Sequence, residues 1–425
     1  MNSQRVCVIG AGLSGLAAAK VLKQHAIQFD CFEKGSNIGG IWRFDNDNGM
    51  SSIYASLHTN TSKQRTCFKD FPMPEDYPSH PHHTQVLKYL EDYTDHFGLY
   101  KHITFNTEVT EVLPLTNGGW EVTLNHAKKV CYQAVVVANG HYWYPNLIKF
   151  PGYFSGKQIH SHDYKTPNEF KNLNVLVVGI GSSGADIACE ISKVARQTCL
   201  STRSSTYILP KYILGRPIDH LGSRLSSRLP LWFQRLTLSS LLEFARGSQT
   251  IYGVAKPNYP LLAAPVTLSN ELLELVKQGR VKIRPNVEEL TDKSIIFSDG
   301  SKELIDVIIY ATGYQLSFPF FKSSFMQVEG NDLPLYRQVV HPDYPNLFFI
   351  GLIDTFGGLP PLAETQSHWV AGLLAGKFKL PKRDKMWRVV EEQYQQLRRR
   401  YVLSAQYTRR VDFYSYINIL QTDIS

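Results

Sequence analysis

The sequence predicts an α/β fold. Two Rossmann-like dinucleotide-binding domains are expected, with the NADP domain inserted in the FAD domain. Three observations carry this. A strand, glycine turn and helix open the chain as "RVCVIGAGLSGLAAAKVL" from Arg5. The pattern recurs as "NVLVVGIGSSGADIACEI" from Asn174. Two further apolar strands, "AVVVANG" and "DVIIYATGY", stop at small-residue turns that end at Gly140 and Tyr314. Strands buried on both faces of a parallel sheet read as such continuous apolar runs, and their carboxyl ends are where such sheets meet ligands. The FAD-binding domain is expected over 1–167 and 313–425, and the NADP-binding domain over 168–312, with a helical excursion near 208–258.

In the first copy, Gly10, Gly12 and Gly15 form GxGxxG. Gly10 permits the tight turn, Gly12 lets a pyrophosphate approach the backbone, and Gly15 lets the helix pack on the strand. The anion then meets free N–H groups and the helix dipole. The next strand, "IQFDCFEKG", ends in Glu33, 23 positions after Gly10. That spacing suits a carboxylate on a ribose hydroxyl.

In the second copy, Gly179, Gly181 and Gly184 repeat the glycines. The same count of 23 reaches Thr202, not an acid, and Arg203 follows among Ser201, Ser204 and Ser205. A carboxylate would repel a 2′-phosphate, whereas hydroxyls beside an arginine would hold one. The first site is therefore expected to take an unphosphorylated ribose, as in FAD, and the second NADPH. Two such domains in one chain suggest hydride transfer from NADPH to a flavin.

Composition narrows the class. The chain has 425 residues, 19% of them charged, and a net charge of +8. That allows two sizeable cores, favours anionic ligands and shows no basic tract dense enough for nucleic acid. Six cysteines are scattered without CxxC or metal spacing. Reduced, mostly buried thiols and no metal site are expected, and a flavin disulfide reductase is disfavoured. No apolar run approaches the roughly 20 residues of a membrane span. A cytoplasmic location and no transmembrane span are expected.

Between the two glycine turns lies "FSGKQIHSHDYK". Its Phe154, Gly156, His160 and Tyr164 match the fingerprint F-x-G-x-x-x-H-x-x-x-[YF]. With it the chain resembles the class B flavin-dependent monooxygenases, in the flavin-containing monooxygenase family. "EKGSNIGGIWRF", "SLHTNTSKQRTCFKDFPMP", "YATGY" and "PPLAETQSHWVAGLLAG" are similar to further family segments. "ANG" at Ala138–Gly140 departs from the ATG of many relatives. The resemblance implies an FAD- and NADPH-dependent enzyme, N,N-dimethylaniline monooxygenase-like. Through a C4a-hydroperoxyflavin it would oxygenate nucleophilic nitrogen or sulfur of a small molecule at the expense of O2. It implies cofactor contacts at Ala11, Leu13, Ser14, Gly40, Ile41, Trp42, Thr59, Asn60, Thr61, Val109 and Gln366. In the second half it implies Ser182, Ser183, Ala185, Asp186, Ala311, Thr312 and Gly313. It also implies that the Asn60 amide stabilises the flavin–oxygen adduct. A homodimer is a compatible assembly.

Alternatives stay open. A Baeyer–Villiger or 2-oxo-acid-oxidising monooxygenase would use the same scaffold, although Tyr164-Lys165 stands where Baeyer–Villiger members end the motif in Trp. His80, His82 and His83 suggest a metal, but a solvated loop fits them better. His160 is expected to be structural, within a connector at the domain junction packed by Phe154 and Tyr164. The excursion is expected to pack on its own domain, with a lid or a membrane-surface contact as the functional option.

Overall fold

The protein, described here by a computed structural model covering residues 5–222, 229–326, 328, 331–402 and 407–424, divides into two compact units. The first comprises Met1–Ser51, Leu57–Tyr144 and Gln315–Ser425; the second comprises Ser52–Ser56 and Pro145–Tyr314.

The first unit is built on a six-stranded sheet. Strand β1 (Val6–Ile9) leads into helix α1 (Leu13–Gln24), then β2 (Phe29–Phe32), helix α2 (His83–His96), β3 (Ile103–Thr104) and β4 (Ala134–Val137). β1 pairs in parallel with β2 on one side and β4 on the other. Two late strands, Val340–His341 and Tyr344–Phe349, complete the edge beside β4. All four residues of β1 and of β4 are buried. Side chains alternate across a strand, so Val6, Val8, Ala134 and Val136 join one core while Cys7, Ile9, Val135 and Val137 join the other. The first core is closed by α1 and by the helix Leu359–Leu374. Lys20 of α1, 2% exposed, lies 2.7 Å from Glu364 and 2.5 Å from Asp70. A buried ammonium needs such partners. The other core is covered by an antiparallel sheet of Val109–Pro114, Trp120–Leu124 and Lys128–Tyr132.

The second unit carries a five-stranded, all-parallel sheet. Its strands are β5 (Lys157–His160), β6 (Asn174–Val178), β7 (Gln197–Ser201), β8 (Val281–Arg284) and β9 (Val307–Tyr310), in the order β5-β9-β6-β7-β8. Helix α3 (Ser182–Ile191) follows β6. A separate sheet joins Gly152–Phe154, in parallel, to the meander 287–304.

The expected boundary at residue 168 lies too late. The segment 152–160 is not a connector: Lys157–His160 is the edge strand of the second sheet, hydrogen-bonded in register from Lys157↔Val307 to His160↔Tyr310. The later boundary falls after Tyr314 rather than at 312/313, and Ser52–Ser56 also belongs to the second unit. Pairing across long sequence separations decides these limits, and composition does not reveal it.

The excursion holds helix α4 (Leu231–Arg246), of which Leu242 is buried. Leu242 joins Leu209, Ile213, Ile218, Leu261 and Leu268 in a small core. Trp232 and Phe244 on the same helix are 66% and 82% exposed. The excursion therefore packs on its own unit through a narrow seam. Residues 223–228 lie outside the described residues. Among the described residues no helix is long and apolar enough to cross a membrane.

Candidate active site

The first glycine turn joins the carboxyl end of β1 to α1. Gly10 has φ +97°, and a Cβ there would lie 2.8 Å from the Ala138 carbonyl oxygen, just past β4. A Cβ on Gly15 would fall 1.8 Å from the Gly10 carbonyl oxygen. Internal packing alone demands both glycines. Gly12 differs, because its Cβ would meet nothing nearer than Gly40 Cα at 3.5 Å. Gly40 (φ +56°) would in turn place a Cβ 3.0 Å from Gly12 Cα. Two bare backbones thus face each other across a cradle that side chains would fill. Gly12 is also the N-cap of α1, with no side-chain cap. A helix start left uncapped beside open backbone fits a pyrophosphate. Leu13 and Ser14 form the first turn over this cradle; a Cβ on Gly351 would lie 2.0 Å from Ser14 Oγ, so the end of the returning strand closes on the same turn.

Glu33 stands one residue past β2 and is 4% exposed. Its Oε2 accepts from the Ala11 N–H at 2.8 Å, and its Oε1 accepts from the Gly35 N–H at 2.8 Å and Asn48 Nδ2 at 3.1 Å. An ionised carboxylate offers about four acceptor sites. Three are used here, one of them bracing the turn at Ala11, and one more acceptor site remains.

The second turn repeats the first. Gly179 has φ +109°, and its Cβ would lie 2.5 Å from the Ala311 carbonyl oxygen; a Cβ on Gly184 would lie 1.9 Å from the Gly179 carbonyl oxygen. Around Gly181, the uncapped N-cap of α3, a Cβ would meet nothing within 4 Å. Ala138 and Ala311 thus occupy matching places, each the small residue on which a turn glycine rests. Gly140 and Gly313 both have positive φ. Asn139 and Thr312 both bond to chain distant in sequence, Asn139 Nδ2 to the Ser317 carbonyl at 2.9 Å and Thr312 Oγ1 to the Asn146 carbonyl at 2.5 Å.

The strand ends differ. Thr202 Oγ1 donates to the Ser204 carbonyl at 2.5 Å and makes no brace to the glycine turn. Ser201 and Ser205 also donate to main-chain carbonyls, of Pro285 and Ala255. Arg203 and Ser204 are left exposed. Of the expected hydroxyl-and-arginine cluster, these two are the exposed members.

In the first unit, Gly40–Trp42 form a 3-10 turn, and Trp42 leans on the main core. Thr59 is buried, its N–H donating to the Pro81 carbonyl at 2.9 Å. Thr61 Oγ1 lies 2.7 Å from Thr66 Oγ1. Between them, the Asn60 amide oxygen is buried with no hydrogen-bond partner among the described residues. Such an atom costs about 1–3 kcal/mol unless a ligand satisfies it. Val109 is 6% exposed and its side chain joins the second core. Gln366 is fully engaged by the fold: its Oε1 accepts from the Gly351 N–H at 2.9 Å, and its Nε2 donates to the Gln338 carbonyl and the Tyr416 hydroxyl.

The fingerprint has a local explanation. A Cβ on Gly156 would lie 2.6 Å from the Phe154 ring and 2.5 Å from the Asp306 carbonyl oxygen, so the ring covers the glycine. His160, 3% exposed, ends β5. Its Nδ1 accepts from the His162 N–H at 3.1 Å, and its ring meets Tyr314 edge-on at 5.3 Å. Burial pushes its pKa down to about 4, which keeps it neutral. Tyr164 is fully buried, stacked on Phe170.

The histidine cluster is not a solvated loop. His80 and His83 are buried, and His83 stacks on Phe44 at 5.6 Å. His82 is the N-cap of α2 in a capping box, its side chain accepting from the Thr84 N–H while Gln85 bonds back to the His82 N–H. The helix begins at His83, because a histidine ring nitrogen here substitutes for the usual Ser or Asp cap. Among the described residues no group of His, Cys, Asp and Glu could hold a metal ion.

Sequence reasoning missed a buried polar group at the carboxyl edge of the first sheet. Asp354 Oδ1 accepts from Tyr142 OH at 2.7 Å and lies 3.7 Å from His141 Nε2, while Oδ2 lies 3.1 Å from Arg409. Burial alone would raise this carboxyl's pKa, but His141 and the Arg409 charge hold it well below the usual range. The available signal was an aromatic pair, His141-Tyr142, directly behind the "ANG" turn.

Comparisons with known proteins identify the family. A family model described as "Flavin-binding monooxygenase-like" matches residues 3–425. Flavin-containing monooxygenase 5 of Rattus norvegicus is 38% identical over 437 residues, covering 97% of this chain and 81% of its own. Dimethylaniline monooxygenase [N-oxide-forming] 2 of Pan troglodytes is 38% identical over 400 residues, covering 89% and 75%. The solved structure of S-allyl-L-cysteine S-oxygenase from Allium sativum superimposes with a TM-score of 0.74 at 27% identity, covering 99% of this chain and 88% of that one. The chain belongs to the flavin-containing monooxygenase family and is an enzyme whose cofactors are FAD and NADPH.

Proposed function

We propose that the protein is an NADPH- and O2-dependent monooxygenase that oxygenates nucleophilic nitrogen or sulfur atoms of small molecules. FAD takes the first glycine turn and NADPH the second. The carrying observation is the contrast at the strand ends: buried Glu33 at one, exposed Arg203 after Thr202 at the other. The relatives named for N-oxide formation and S-oxygenation support the substrate class.

Bound flavin, once reduced by NADPH, supplies the activation of O2, and the nucleophile supplies the electron pair. The chain's own residues then have limited tasks. Gly12 and Gly40 leave backbone open for the FAD pyrophosphate, and Glu33 holds the ribose. Arg203 and Ser204 bind the 2′-phosphate of NADPH by charge-assisted hydrogen bonds. The Asn60 amide offers a preorganised polar group at a water-poor position, the arrangement that stabilises developing charge. No general acid–base pair on the protein is required. The free cysteines, four buried, one half-buried and one exposed, suit a reducing compartment, and we place the enzyme in the cytoplasm.

The test is product analysis with paired amine, sulfide, ketone and 2-oxo-acid substrates in the presence of NADPH and O2. N-oxide or S-oxide is expected. Oxygenation of the ketone or oxo acid alone would overturn the reading.

A further inference from the structure

The segment Ser52–Ser56 belongs to the second unit although the chain on both sides of it belongs to the first. It lies along helix α3. Tyr54, 4% exposed, donates its hydroxyl to Asp186 Oδ2 at 2.7 Å. Ser56 Oγ donates to Glu190 Oε2 at 3.0 Å, and Tyr164 donates its hydroxyl to the same oxygen at 2.8 Å. The segment is fixed to Lys165, the residue after the fingerprint tyrosine, by two more bonds, from the Ala55 N–H to the Lys165 carbonyl at 2.9 Å and from Lys165 Nζ to the Ile53 carbonyl at 3.1 Å. The rings of Tyr54 and Tyr164 meet edge-on at 5.9 Å.

Asp186 and Glu190 are four residues apart, so they share one face of α3 on successive turns. Residues Gly184, Ala185, Ile187, Ala188, Cys189 and Ile191 are the buried ones that seat the helix in its unit. The two carboxylates are the polar grips on the side that Ser52–Ser56 and Tyr164 meet. The same helix begins at the uncapped Gly181–Ser182 turn, whose N–H groups must point at an anion for binding to work. A small rotation of α3 would redirect all of them together.

We propose that Tyr54 and Tyr164 are positioning residues for NADPH: by holding Asp186 and Glu190 they fix the orientation of α3 and so the aim of its first-turn N–H groups at the dinucleotide pyrophosphate. The proposal rests on assigning NADPH to the second glycine turn. It gives the fingerprint tyrosine a task beyond packing, performed by its hydroxyl, and recruits Tyr54, which stands outside the fingerprint.

The experiment is anaerobic flavin reduction by NADPH, followed by stopped flow, in Tyr54→Phe, Tyr164→Phe and Arg203→Ala holoenzymes. Each phenylalanine variant is expected to raise the dissociation constant for NADPH about threefold to tenfold, since only part of the free energy of the lost intraprotein hydrogen bond is felt at the cofactor. FAD content should be unchanged, and the limiting reduction rate at saturating NADPH should stay within about twofold. A merely structural role would lower thermal stability and leave that constant in the folded fraction unmoved, which would overturn the proposal. If Tyr54→Phe does not fold, Tyr164→Phe and Ser56→Ala decide the matter through Glu190. A raised constant in Arg203→Ala beside unaffected tyrosine variants sinks the positioning role alone. An unaffected Arg203→Ala sinks the assignment beneath it.

Discussion

The two glycine turns invite direct comparison. In each, the first glycine rests on an alanine carbonyl and the third on the first, so four glycines serve internal packing. In each, the middle glycine borders space that the protein leaves unfilled. The difference lies at the next strand. In the first unit a buried carboxylate accepts from the N–H groups of Ala11 and Gly35. In the second a threonine bonds its own neighbour, and an arginine faces outward. On the proposed assignment, the shared parts build a turn for a dinucleotide pyrophosphate, while a few residues beyond it choose the ribose. Packing positions and recognition positions are separable in both copies, and variants can pull them apart.

The largest effect is expected from Gly184→Ala, whose Cβ would fall 1.9 Å from main chain that cannot yield. It should cost about 3 kcal/mol or more, read as loss of the folded protein in thermal unfolding. Gly181→Ala, with nothing within 4 Å, should keep the melting temperature yet weaken NADPH binding. Equal losses of stability in the two would break the separation. Next comes the ribose choice. Arg203→Ala should raise the NADPH Michaelis constant about tenfold and leave NADH little changed. Adding Thr202→Glu should move the preference toward NADH, and unchanged NADPH selectivity would remove the basis of the comparison. Glu33→Gln keeps size but removes charge from a site of three donors. FAD retention should fall about tenfold, measured by flavin release on dilution, with NADPH specificity intact.

The smallest effect concerns acid. Burial lowers His160 in the second unit to about 4, and burial likewise lowers His368 in the first to about 4. Unfolded histidine titrates near about 6.5. Between these values the unfolded chain binds the extra proton, so stability falls as pH drops from about 6.5 toward 4. Each histidine should contribute about 1–2 kcal/mol of that loss by pH 5. His160→Gln should therefore flatten part of the slope of denaturation midpoint against pH, and an unchanged slope would show that His160 already titrates normally in the fold.

Much of this was legible in one dimension because the relevant spacings are local. A glycine turn, the helix behind it and the acid at the next strand lie within one βαβ unit, so Gly10 to Glu33 and Gly179 to Arg203 could be paired by counting. The Phe154–Gly156 spacing was visible too, although its cause, a ring lying over a bare Cα, was not. The limits of the second unit were hidden because Lys157–His160 pairs with Val307–Tyr310 across the whole intervening chain. The histidines of 80–83 misled because composition suggests solvent where two of them are buried and the chain starts a helix with one buried face.

What the sequence by itself determined, then, is the pair of nucleotide folds, since these follow from residue type at short fixed intervals; the proposed ribose choice rests on the same short spacings. Only the tertiary structure decided which polar groups meet at long range. Tyr54 finds Asp186 over 132 positions, and Tyr142 finds Asp354 over 212. Burial makes such encounters obligatory, because a carboxylate removed from water must be given donors. Which donors it receives depends on how distant strands and helices stack, and no local pattern records that.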